Sequence, residues 1–183
     1  MTVKCSVYIA TSVDGFIATP DGGIEWLAKP EYSASPIRGL SYNDFIATVD
    51  GLVMGRKTFE KVLSFDNWPY QNTPVIVLSS THLTIPPHLL EAVSLDSGTP
   101  QEIIARLEKA GMRHLYIDGG TTIQHFLEAK LINELTITRI PILLGAGIPL
   151  FGNKGSMQNL KLLETIASES GIVQERYKIE NVT

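Results

Sequence analysis

The chain has 183 residues, a formal charge of −4, 44% hydrophobic residues and one cysteine. That length favours one domain and allows a core burying roughly 70% of the unfolded surface. The charge excludes a basic nucleic-acid footprint, the lone Cys5 excludes an internal disulfide framework, and no apolar run approaches the ~20 residues that cross a bilayer.

A reducing compartment, by default the cytoplasm, is therefore expected. Met1-Thr2-Val3-Lys4 enters a strand too soon for a signal peptide. Val7 to Ala10 reads as an early core strand, with Cys5 as a small buried hydrophobe in it. Thr11 to Gly23 reads as a long loop carrying Asp14-Gly15 and Asp21-Gly22-Gly23, closed by Trp26-Leu27. Residues 28 to 40 hold Pro30, Pro36 and Gly39 and read as irregular. Tyr42 to Thr48 is a short helix with Ser41 as its cap. Leu52 to Met54 is a buried strand, followed by a helix over Thr58 to Leu63.

Pro74 to Leu78 is a continuous run typical of a strand buried on both faces. Ser79-Ser80-Thr81-His82 ends it, and Pro86-Pro87 breaks the chain again. Ala92 to Leu95 is a further strand. Thr99 to Gly111 is the clearest helix: Thr99 caps it, Pro100 starts it, Glu102 completes a capping box and Gly111 stops it. Leu115 to Ile117 is a strand, and Thr121 to Ala129 a helix with Ile123, Phe126 and Leu127 inward. Glu134 to Ile142 alternates in part, and Leu160 to Thr165 with Ile172 to Ile179 forms a closing antiparallel pair. Strands alternating with helices define an α/β protein with a mostly parallel sheet and a β-rich edge.

Two strand-to-glycine-to-helix junctions carry the chemistry. In Val53-Met54-Gly55-Arg56-Lys57-Thr58-Phe59, backbone N–H groups, a helix dipole and an arginine aim at one point, which suits a phosphate. It is not a P-loop, because only three residues, Leu52-Val53-Met54, separate Gly51 from Gly55, and they belong in a strand. A tight turn with a solvated Arg-Lys pair fits the spacing equally well. In Tyr116-Ile117-Asp118-Gly119-Gly120-Thr121-Thr122, the glycine pair permits close backbone approach, by a ligand phosphate or by the helix itself. Ser79-Ser80 at a strand's carboxyl end serves either a turn or a ligand beyond the sheet. Gly145-Ala146-Gly147 reads as a bend.

His82, His88, His114 and His125 lack metal-ligand spacing and read as surface or loop residues. No Gly-x-Ser-x-Gly elbow supports a serine hydrolase. Trp26, Glu25 and Asp44 are the remaining candidates; Trp26 also suits the core, and Asp44 the first turn of a helix.

Together these segments resemble the dihydrofolate reductase fold, and most of all the reductase domain of bifunctional riboflavin-biosynthesis deaminase-reductases. The resemblance runs from Tyr8 to about Tyr177. It rests on residues 10–18 (Ala-Thr-Ser-Val-Asp-Gly-Phe-Ile-Ala), 53–59, 75–80, Ile117-Asp118-Gly119-Gly120, and Leu135-Thr136-Ile137-Thr138-Arg139-Ile140-Pro141, in that order.

The resemblance implies a three-layer fold with helices on both faces of the sheet, NADPH as cofactor, and hydride transfer to a small heterocycle of the pyrimidine or flavin-precursor type. It puts Ala10 and Ile17 at the nicotinamide. Gly55, Arg56, Lys57 and Thr58 fall at the phosphates, with Arg56 near the 2′-phosphate. Ser79 and Ser80 fall on the adenosine side, Gly119, Gly120 and Thr121 at the pyrophosphate, and Trp26 and Thr138 at the substrate. The acid that binds the pterin in dihydrofolate reductases aligns near Ser41 instead, with Asp44 one turn on as a substitute. A pterin reductase and an NADPH-binding protein with little turnover are the alternatives. No zinc-deaminase signature is present, so a stand-alone reductase domain is expected, with a homodimer as the default assembly.

Overall fold

The computed structural model describes residues 3–34, 36–70 and 72–180. Met1 and Thr2, where the strand-like start was expected, lie outside the described residues. One eight-stranded sheet runs through the molecule. In chain order its strands are β1 (Lys4–Ser12), β3 (Gly51–Gly55), β4 (Val75–Leu78), β5 (Val93–Asp96), β6 (His114–Asp118), β7 (Glu134–Ile140), β9 (Asn159–Ala167) and β10 (Val173–Glu180). Their order across the sheet is β5-β4-β3-β6-β1-β7-β10-β9. The first six are mutually parallel, and β10 and β9 close the edge antiparallel.

Among the described residues five α-helices flank the sheet: α1 (Pro30–Ala34), α2 (Tyr42–Ile46), α3 (Arg56–Val62), α4 (Pro100–Lys109) and α5 (Gly120–Glu128). Alternation along the strands divides the core in two. Val7, Val53, Ile76, Leu115, Ile117, Leu135 and Ile137 meet Ile103 and Leu107 of α4 and Ile123 and Phe126 of α5 on one face. Leu52, Met54, Val75, Val77 and Tyr116 meet Phe45 of α2 and Phe59 and Val62 of α3 on the other. Helices therefore cover both faces, as the resemblance implies. Strand β4 sends Ile76 to one core and Val75 and Val77 to the other, which is why its sequence is apolar throughout.

The capping signals formed as written. The Thr99 hydroxyl accepts from the Glu102 N–H while the Glu102 carboxylate accepts from the Thr99 N–H, so α4 starts at Pro100. Ser41 caps α2 through the Asp44 N–H.

Two stretches differ from expectation. The segment from Thr11 to Gly23 is not all loop. Strand β1 runs on to Ser12, and Phe16–Ala18 forms β2, which pairs antiparallel with β8 (Ile148–Pro149). Asp14 stabilises this corner by accepting the N–H groups of Leu144 and Gly145 at 3.2 and 2.8 Å. Residues 28 to 40 are not wholly irregular either, because Pro30 begins α1, where its fixed φ and missing N–H cost nothing. Among the described residues no helix is long and apolar enough to cross a membrane.

Candidate active site

Strands β3 and β6 are neighbours, with Met54 opposite Asp118 at their carboxyl ends. The helices that follow depart to opposite faces, α3 to the Phe59 side and α5 to the Phe126 side. Such a divergence opens a crevice beyond the sheet, where open α/β sheets take their ligands. Helices α2 and α4 carry side-chain caps, whereas the N-caps of α3 and α5, Gly55 and Gly119, provide none. Two helix starts whose first-turn N–H groups lack side-chain acceptors thus lie side by side at the crevice.

The junctions are interlocked. Gly119 has φ +87, and a Cβ there would run into the Thr58 hydroxyl. A Cβ on Gly55 would lie 3.0 Å from Thr122 Oγ1, and one on Gly120 3.0 Å from Ile17 Cδ1. Ile17, Gly55, Thr58, Gly119 and Gly120 are therefore brought together, although they come from three separate segments. Lys57 and Thr121 stand exposed in the first turns of the two helices.

Arg56 reaches sideways to the carboxyl end of β4. Its Nε donates to Glu60 Oε1 at 2.7 Å and its Nη1 to Thr81 Oγ1 at 2.8 Å. Ser79 donates to the Thr81 carbonyl at 2.8 Å, and Ser80 is exposed beside it. The guanidinium and the Ser79-Ser80 pair thus form one polar rim next to the α3 start.

Across the sheet, Thr138 of β7 sits opposite Ala10 of β1 and Gln174 of β10. Trp26 is buried with Ala10, Ile140 and Ile172. The buried Gln174 amide fixes this corner. It accepts the Leu40 N–H at 2.7 Å, and donates to the Leu40 carbonyl at 3.0 Å and to Thr138 Oγ1 at 3.3 Å. Tyr8 donates to the same Leu40 carbonyl at 2.8 Å. Ala10, Trp26 and Thr138 are thereby gathered, with the entry to α2 pinned above them. Asp44 is exposed on α2, where its carboxylate accepts the Ser41 hydroxyl at 2.6 Å.

Sequence reasoning missed the most perturbed acid in the crevice. Asp118 ends β6, partly buried on the side of Tyr42, Tyr70 and Tyr116, whose phenols are raised by their own burial and further by its charge. Burial pushes the Asp118 carboxyl up to about 6, against the opposing pull of the Gly119 N–H, which donates to its Oδ1 at 2.8 Å, and of the nearby Tyr116 hydroxyl. The signal was an acid at a strand's carboxyl end directly before the glycine pair. It was absorbed into the glycine junction because Tyr42 and Tyr70 come from distant segments.

His114 also needs correction. It is not a surface or loop residue but the first residue of β6, and its ring nitrogens lie 2.8 Å from Ser6 Oγ and 2.8 Å from the Thr48 carbonyl. His82, His88 and His125 are exposed.

This fold, with its crevice between two glycine-started helices, is the dihydrofolate reductase-like fold, a reductase-type architecture. Residues 4–174 match the family described as RibD C-terminal domain, and the chain belongs to that family. A putative riboflavin biosynthesis protein from Shewanella sp. PV-4 is 41% identical, with TM-score 0.87, covering 98% of this chain and 100% of that one. The uncharacterized protein YwjB of Bacillus subtilis is 35% identical over 168 residues, 90% of this chain and 92% of its own. Dihydrofolate reductase from Enterococcus faecalis shares the fold, with TM-score 0.65 at 20% identity over 97% of each chain.

Proposed function

We propose that the protein is an NADPH-dependent reductase that delivers a hydride to a C=N or C=O bond of a small heterocycle of the pyrimidine or flavin-precursor type. The observation that carries this reading is the pair of interlocked, uncapped helix starts set side by side at the carboxyl ends of β3 and β6, with Asp118 between them. The residues present fit the cofactor. Helix N-termini without side-chain caps suit a pyrophosphate, while the glycines at Gly55, Gly119 and Gly120 are required by the close approach of Thr122, Thr58 and Ile17. On this reading Gly55, Lys57, Thr58, Gly119, Gly120 and Thr121 hold the phosphates. Arg56 takes the 2′-phosphate, with Ser79 and Ser80 at the adenosine end, and Ala10 and Ile17 line the nicotinamide.

Bound NADPH supplies the hydride; the protein's own share is orientation, exclusion of water and a proton. Reducing a C=N or C=O bond consumes one hydride at carbon and one proton at nitrogen or oxygen. Asp118, whose carboxyl burial raises to about 6, carries a proton near neutral pH far more often than an ordinary aspartate and is suited to pass it on. Thr138 and Trp26 border the substrate side. Asp44 accepts the Ser41 hydroxyl at the start of α2; retained activity on dihydropterins that collapses in Asp44→Asn would favour a pterin as substrate.

The test is steady-state oxidation of NADPH against a panel of ribosylated aminopyrimidines, flavin precursors and dihydropterins. Asp118→Asn is expected to keep NADPH binding and lose about 10²- to 10⁴-fold in kcat, the range of a lost general acid. Undiminished turnover in Asp118→Asn, or no oxidation by the unaltered protein across the panel, would contradict the proposal.

A further inference from the structure

Arg56 and Glu60 stand on α3 in the order that a helix favours least. The guanidinium belongs to the first residue and the carboxylate to the last turn, so each charge opposes its end of the helix dipole. Both side chains are half-exposed, and an exposed pair adds little to stability. The contact is short nonetheless, 2.7 Å from Arg56 Nε to Glu60 Oε1. Folding gives no reason to keep a carboxylate there.

The reason lies in what the guanidinium has left to offer. Arginine carries N–H donors on all three of its nitrogens. Nε is given to Glu60, and Nη1 to Thr81 Oγ1 at 2.8 Å, with the His82 carbonyl 3.5 Å away. Nη2 has no hydrogen-bond partner among the described residues. A phosphate binds arginine best through two N–H groups at once, and here the Nε edge is already held by a carboxylate. An incoming 2′-phosphate must either displace Glu60 or bind beside Nη2 with the charge of Glu60 close by. Both routes oppose a group that carries about −1.5 to −2 charges near neutral pH. Neither opposes a 2′-hydroxyl.

We infer that Glu60 is a specificity-determining residue of the dinucleotide site: it holds back the preference for NADPH that Arg56 creates, so that NADH is accepted as well. The inference rests on the reading that Arg56 meets the 2′-phosphate. Thr81 anchors the guanidinium at the rim independently of Glu60. Glu60→Gln therefore isolates the effect, because it keeps an acceptor for Nε and removes only the charge.

Isothermal titration of NADPH and NADH into the unaltered protein, Glu60→Gln and Glu60→Lys tests this. Glu60→Gln is expected to tighten NADPH by about 3- to 10-fold and to leave NADH within about twofold. Glu60→Lys, which adds a cation, is expected to tighten NADPH further. Both gains should shrink as salt rises from about 0.05 to 0.5 M, because the charges are open to solvent. A residue that only positioned Arg56 would give no gain in Glu60→Gln, and one that only supported α3 would move both dinucleotides alike. Either result, or a gain indifferent to salt, would overturn the inference. Arg56→Ala separates it from the reading beneath it. A loss of NADPH affinity in Arg56→Ala without a gain in Glu60→Gln overturns this inference alone. No response to Arg56→Ala, or no binding of NADPH, overturns both.

Discussion

Asp118 and His114 are both titratable groups whose environment opposes their charge, and they bend stability in opposite directions with pH. The Asp118 carboxyl rises from 3.8 to about 6 on folding. Between those values the native state binds more protons than the unfolded one, so this group's contribution falls as pH rises through the window. Above pH 6 its desolvated charge costs about 1–3 kcal/mol, and Asp118→Asn is expected to raise stability by that amount at pH 8 while losing about 10²- to 10⁴-fold in kcat. Urea unfolding at pH 8 checks it; a destabilised Asp118→Asn would argue for a structural carboxylate. His114 is the reverse case. Desolvation by burial lowers its pKa below 6.5, and the ring is suited to be neutral, donating to the Thr48 carbonyl and accepting from Ser6. Its contribution is complete above the unfolded value and is lost as pH falls below it. Relative to His114→Gln, the unaltered protein is expected to lose stability progressively as pH falls below 6.5. A difference between the two that stays flat over that range would contradict this reading. Neither role was legible locally: each depends on partners more than 40 positions away, Tyr70 for Asp118 and Thr48 and Ser6 for His114.

At the scale of elements, the legible features were those written in short-range chemistry. The Thr99–Glu102 capping box, the Ser41 cap and the apolar run of β4 each specify their element with few neighbours consulted. Strand β2 was illegible because three residues hold a strand only through pairing with β8, more than 100 positions on. The five-residue α1 was obscured by Pro30 and Pro36 at either end of the segment, although Pro30 is its first residue. The two glycine junctions were legible as pieces, but not their contact. That contact has a measurable energy. Gly111 and Gly119 both have positive φ, +95 and +87, but a Cβ at Gly111 meets open space while one at Gly119 meets Thr58. Gly111→Ala is therefore expected to cost only backbone strain, about 1 kcal/mol. Gly119→Ala should cost about 1–3 kcal/mol more, from its less accessible backbone region and from overpacking. Equal costs in denaturant unfolding would mean that the junctions do not press on each other.

For the whole molecule, the alternation of strands and helices predicted a mostly parallel sheet, but not the strand order that makes a site of it. Strand β6 returns from the far edge to lie between β3 and β1, and this one placement sets Met54 beside Asp118 and the two glycine junctions side by side. Motifs lying more than 60 positions apart become one crevice by that insertion, and the resemblance to a known fold supplied what periodicity could not. The central claim is that this crevice grips a phosphorylated nicotinamide dinucleotide, with Arg56 reading its 2′-phosphate. Isothermal titration of NADPH and NADH into the unaltered protein and Arg56→Ala tests it most directly. The expected result is that the unaltered protein binds NADPH more tightly than NADH. Arg56→Ala should lose about 10- to 100-fold for NADPH, as for one charge-assisted contact, and change little for NADH. An absence of NADPH binding, or an equal loss for both dinucleotides, would contradict the account.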